Sequence, residues 1–147
     1  MTVYEFVTHR KKVSNITTDV LNNPKAVVDF LRRTVYDEQD SWREKCIAVY
    51  LNKAGSFLGY EVLSVGGSAS TSFEPMPVCR TAIQVMADAV IMIHNHPIGN
   101  PRPSLQDIRH TARLRQALSA VQVKLNDAII LGEKTYYSFA EEIEKKY

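Results

Sequence analysis

Residues 90–97 read Val-Ile-Met-Ile-His-Asn-His-Pro. Four large apolar residues in succession predict a strand covered on both faces, an inner strand of a sheet with helices on either side. In a strand, positions i and i+2 point the same way, so His94 and His96 present their imidazoles to one side of its end. A stiff loop follows, in which Pro97, Pro101 and Pro103 exclude helix and ladder pairing. Ser104 then opens a helix expected to reach about Ala120, with Leu105, Ile108 and Ala112 on one face.

Working outward, Ala82, Val85, Met86 and Ala89 recur at helical spacing, which predicts a helix beginning at Cys79 after a loop punctuated by Pro75 and Pro77. Residues 45–51 form a β-rich apolar run, 52–55 a turn, and 56–65 the returning strand of a hairpin. Asn23-Pro24 reads as an N-cap with proline in the first turn of a helix over about 24–35. Downstream, 121–131 is a strand, 132–134 a turn and 136–139 a short strand. Residues 1–20 read as an arm or edge element. The alternation of helices and strands predicts an α/β (α+β) layered fold, a single mixed sheet flanked by helices, with 21–147 as one domain.

Composition narrows the function classes. A chain of 147 residues with 45% hydrophobic and 23% charged residues is a globular domain and excludes disorder and fibrous rods. The net charge of +2 gives nucleic acid no electrostatic support as a partner. The apolar runs, such as Ala89 to Ile93, are far too short to cross a bilayer. The N-terminus lacks the basic start and apolar core of a secretion signal, and Cys46 and Cys79 form neither a disulfide framework nor a Cys-x-x-Cys knuckle. A reducing cytoplasm is the expected setting.

The chemistry concentrates in His94-x-His96-x₇-Ser104-x-x-Asp107. With Ser104 as N-cap, Asp107 stands one turn into the helix, on the side facing back toward the strand. Two imidazoles and a carboxylate, with a fourth position open to water, are a donor set for catalytic zinc, whereas structural zinc calls for four protein ligands, usually rich in cysteine. Ser-x-x-Asp also resembles a capping box, a role compatible with a site at the helix mouth. Arg102, Arg109, Arg113 and Arg115, with His110, read as a solvated helix face, and Cys46 and Cys79 as small buried hydrophobes.

The string His94-Asn95-His96-Pro97-x-Gly99-Asn100-Pro101-x-Pro103-Ser104-x-x-Asp107 resembles the JAMM motif of the JAB/MPN metalloprotease superfamily, and in its finer detail the bacterial RadC family. The resemblance extends over about residues 25–140. This chain carries Ile98 and Asn100 where the family commonly has Ser and Asp, and Asp127-Ala128 where it tends to have Asp-His. Full-length family members usually carry an N-terminal helix-hairpin-helix region, and residues 24–43 are expected to be too short to hold one.

The resemblance implies a JAB/MPN-like fold and a Zn²⁺ ion bound by His94, His96 and Asp107 with water as fourth ligand. It implies hydrolysis of a peptide or isopeptide bond. The superfamily places its proton-transferring glutamate where Glu44 stands, at the start of the first long apolar strand. Glu61, on the second hairpin strand, is the rival. Ser104 would donate to the tetrahedral oxyanion or to the water. The runner-up function is a DNA-repair accessory or nucleic-acid-binding module with a structural or vestigial metal site. A zinc nucleobase deaminase is excluded by the missing His-x-Glu and Pro-Cys-x-x-Cys elements.

Overall fold

Asn23 starts the first helix by accepting a 2.9 Å hydrogen bond on its side-chain oxygen from the Ala26 N–H, and Pro24 takes a first-turn position where no intrahelical donor is lost. The computed structural model describes residues 23–66, 74–97 and 99–146. The arm or edge element expected over 1–20 lies outside the described residues. Helix α1 (Pro24–Thr34) buries Val27, Val28, Phe30 and Leu31, and a 3₁₀ turn at Glu38–Ser41 leads to β1 (Lys45–Leu51) and its hairpin partner β2 (Phe57–Val65). The chain continues through α2 (Pro75–Gln84), β3 (Ala89–Asn95), α3 (Leu105–Ala120), β4 (Lys124–Leu131), β5 (Thr135–Ser138) and β6 (Ile143–Lys146).

The strands form one six-stranded mixed sheet in the order β2-β1-β3-β4-β5-β6. Every neighbouring pair is antiparallel except β3 and β4, which are parallel and connected by α3. Alternate residues of the central strands feed two cores. On one face Ile47, Val49, Ile91, Ile93 and Ile129 pack against α1. On the other, Cys46, Ala48, Val90, Met92 and Ala128 pack against Val78 and Ala82 of α2 and Leu114 and Leu118 of α3. Helices on both faces explain why β1 and β3 are buried at every position. This is the α/β layered fold expected from the sequence.

Three local expectations are corrected. The second helix begins at Pro75, not Cys79, because a proline in the first turn forfeits no hydrogen bond and fixes a helical φ. It ends at Gln84, with Met86 in a left-handed conformation (φ 54°), and Ala89 belongs to the next strand. The buried face of α3 is Asp107, Thr111, Leu114 and Leu118, while Leu105 is 73% and Ile108 47% exposed and Ala112 is also exposed. The burial of Asp107 sets this rotation, since residues 111, 114 and 118 follow it down one side. Residues 121–123 close the helix, with Gln122 at φ 61°, so β4 starts only at Lys124. β6 has no counterpart in the sequence reading.

Candidate metal centre

His94 is the penultimate residue of β3, flanked by Cys46 of β1 and Ile130 of β4 in the ladder, and is 1% exposed. His96 has left the strand but keeps its register, because its N–H donates to the Leu131 carbonyl at 2.9 Å. The Nδ1 of His96 lies 2.8 Å from the Asn100 carbonyl oxygen. A carbonyl only accepts, so this nitrogen donates, and the Nε2 lone pair is left for the site. The loop that supplies Asn100 is built tightly. Gly99 sits at φ 82°, and any side chain on Gly132 would collide with the Gly99 carbonyl and Pro101.

The two Nε2 atoms are 3.1 Å apart. His94 Nε2 is 3.3 Å from Asp107 Oδ1, and His96 Nε2 is 3.6 Å from Asp107 Oδ2. A tetrahedral ion with bonds of about 2.0–2.1 Å separates its ligands by about 3.3 Å, close to the spacing of the two nitrogens and of His94 Nε2 from Asp107 Oδ1. One donor atom from each of His94, His96 and Asp107 lies within 4.8 Å of the others, and the three residues together can hold a metal ion.

Ser104 caps α3 and orients the carboxylate in a capping box. Its Oγ accepts from the Asp107 N–H at 3.1 Å, and both its N–H (2.7 Å) and its hydroxyl (2.6 Å) donate to Asp107 Oδ2. Burial alone would raise the pKa of this carboxyl. The neighbouring imidazoles of His94 and His96 and the hydrogen bonds from Ser104 outweigh it and hold Asp107 well below the usual carboxylate range, so the group is an anion at any working pH. His96 is shifted upward, first by its hydrogen bond with Asp107.

Glu44 immediately precedes β1, and its carboxyl is shifted upward by burial, against the pull of His94 and His96 and with the repulsion of Asp107. Burial sets the direction of the shift, and the three residues that form the candidate centre are the charges that temper it. Its Oε1 is buried and has no hydrogen-bond partner among the described residues, an arrangement that calls for a donor. Glu61, the rival, stands opposite Ala48 on β2, and its Oε2 accepts from the Tyr50 hydroxyl at 2.9 Å. It is therefore engaged with the α2 side of the sheet rather than free toward solvent. The arginines at 102, 109, 113 and 115 are all exposed, and Cys46 is buried while Cys79 is half-buried.

Two residues that support the site were not singled out from the sequence. Asn100 acts through its backbone carbonyl, which no side-chain pattern reveals. Asn95 is 7% exposed in a fully buried strand, and a polar residue between two candidate ligands was the signal for it.

A family model described as "RadC-like JAB domain" matches residues 21–145. The chain is 35% identical over 122 residues to a UPF0758 protein of Aquifex aeolicus (strain VF5), covering 83% of this chain and 51% of that protein. It is 40% identical over 99 residues to the UPF0758 protein YfjY of Escherichia coli (strain K12), covering 67% and 62% respectively. A UPF0758 protein of Thermotoga maritima is 37% identical over 124 residues, 84% of this chain and 54% of that protein. The chain thus spans about half the length of most of these relatives.

Proposed function

The chain belongs to the RadC-like JAB domain family, and from that premise we propose that it is a zinc-dependent metallohydrolase of the JAMM type, cleaving a peptide or isopeptide bond. One observation carries the reading: the donors of His94, His96 and Asp107 converge, and they act electrostatically on a carboxyl, Glu44, whose buried oxygen has no partner among the described residues. His94, His96 and Asp107 would hold the ion. Zinc in such a donor set supplies a water acidified to a pKa of about 7 and polarises the scissile carbonyl.

The chain's own groups then divide the proton work. Glu44, raised by burial, is a carboxyl poised to accept a proton from the attacking water and return it to the departing amine. Ser104 has one hydroxyl hydrogen, which it now gives to Asp107. In this reading that hydrogen swings to the oxyanion of the tetrahedral adduct, while the Ser104 N–H keeps Asp107 in place. The partner is a peptide or protein substrate acting in the cytoplasm, where the free thiols of Cys46 and Cys79 persist. Among the described residues, no helix is long and apolar enough to cross a membrane.

The test is zinc loading and elemental analysis of wild type, His96→Ala and Glu44→Gln, with a panel of quenched fluorescent peptides and lysine isopeptides. The expected result is one zinc in wild type and Glu44→Gln, little in His96→Ala, and turnover lowered about 10²-fold or more by Glu44→Gln. Equal zinc in wild type and His96→Ala overturns the site. Zinc-loaded protein that cleaves none of the panel counts against hydrolysis of these bonds.

A further inference from the structure

Antiparallel pairing of β1 with β3 ends at Cys46 and His94. The next two positions, Lys45 and Asn95, continue the pairing by a side chain instead of a backbone. The Asn95 Oδ1 accepts from the Lys45 N–H at 2.7 Å, and its Nδ2 donates to the Arg43 carbonyl at 3.0 Å and to the Asp40 carbonyl at 2.7 Å. One buried amide thus grips the peptide groups on both sides of Glu44. From the opposite edge, the Gly66 N–H donates to the Glu44 carbonyl at 2.7 Å. A second fastening holds the same segment, since the buried Lys45 ammonium lies 2.6 Å from Asp40 Oδ2 and also donates to the Val35 carbonyl at 3.1 Å.

We infer that Asn95 is a positioning residue for Glu44: it fixes the backbone from which that carboxyl projects and ties it to the strand that carries both histidines. The inference rests on the reading of Glu44 as the proton-transferring group. Strand alternation makes the arrangement possible. His94 and His96 point to one face and Asn95 to the other, so three consecutive residues set both the ligands and the geometry of their partner carboxylate. A residue on its own flexible lead into β1 would wander by more than the tolerance of about 0.5 Å that a preorganised site allows. Three hydrogen bonds to a single planar amide remove that freedom.

Cobalt(II) in place of zinc gives a readout that needs no substrate, because its visible bands respond to the groups around the ion's open position. Spectra are compared for wild type, Glu44→Gln, Asn95→Ala and the double variant, each loaded with one equivalent of cobalt. Glu44→Gln is expected to shift the bands, Asn95→Ala to shift them in the same direction, and the double variant to match Glu44→Gln alone. A residue acting only on the general fold would add its own change in the Glu44→Gln background. Wild-type bands in Asn95→Ala beside shifted bands in Glu44→Gln overturn the inference, and so does an additive double variant. Bands unchanged by Glu44→Gln overturn the role of Glu44 and the inference with it. Where Asn95→Ala does not fold by circular dichroism, Asn95→Ser serves, since its hydroxyl is too short to span both peptide groups.

Discussion

The Oδ2 atom of Asp107 accepts two hydrogen bonds from Ser104, one from its N–H at 2.7 Å and one from its hydroxyl at 2.6 Å. Oδ1 is thereby turned toward His94 Nε2, 3.3 Å away. Helix capping and ligand orientation are one arrangement here, and several consequences can be measured.

Ser104→Ala removes the cap acceptor and one of the two restraints on Asp107. The loss of the cap costs about 1 kcal/mol of stability, and the loss of a supporting hydrogen bond weakens metal binding about 10–100-fold. Thermal denaturation and a zinc competition titration measure the two effects separately. A stability loss with unchanged zinc affinity would show that the serine only caps.

Zinc is expected to stabilise the folded chain by mass action, by about 2.7 kcal/mol when the free ion stands at 100 times its Kd. Thermal melts with and without zinc check this. The rise in Tm should vanish in His94→Ala, and a rise that survives in that variant would place the ion elsewhere.

Leu118 is fully buried beneath the sheet, and Leu105 is exposed on the same helix. Leu118→Ala is expected to cost about 2–5 kcal/mol and Leu105→Ala less than about 0.5 kcal/mol. Urea unfolding of the two variants tests the helix rotation directly, and comparable losses would contradict it.

Gly132 packs against the Gly99 carbonyl and Pro101, which holds the loop that carries Asn100 against the turn after β4. Gly132→Ala forces these segments apart, at about 1–3 kcal/mol. Because Asn100 orients His96, zinc affinity should fall as well. A variant that melts lower yet binds zinc as wild type does would separate the loop from the site.

Asp127 lies within β4 opposite Ile91, and burial raises its pKa against the hydrogen bonds from Ser138 Oγ and the Ala140 N–H. A carboxyl raised in the folded state binds its proton more tightly there than in the unfolded chain. Its contribution is therefore present below the unfolded value of about 3.9 and is lost as pH rises through the folded value. Asp127→Asn should accordingly compare more favourably with wild type at pH 7 than at pH 4 in urea midpoints. The same difference at both pH values would show that the carboxyl carries no such shift.

The strand over 90–95, the hairpin over 45–65, the helix opened by Asn23 and the candidate donors His94, His96 and Asp107 at their strand-and-helix spacing were legible in the amino-acid order. They depend on local rules: alternation along a strand, the proline and cap residues of a first turn, and the apolar runs of twice-covered strands. The rotation of α3 was not legible, because Leu105 and Ile108 satisfy helical spacing as well as Leu114 and Leu118 do. Only the requirement that Asp107 face the histidines selects one side. The choice between Glu44 and Glu61 as the carboxylate beside the centre likewise needed the folded sheet, since both stand on the same hairpin. Pairing of Ala48 with Glu61 sends the Glu61 carboxylate to Tyr50, and pairing of Cys46 with His94 brings Glu44 within the electrostatic reach of His94, His96 and Asp107. The sequence alone determined which donors exist and how far apart they stand along the chain. Which of them meet was decided by strand order and helix rotation, because long-range packing chooses among faces that local periodicity leaves equivalent.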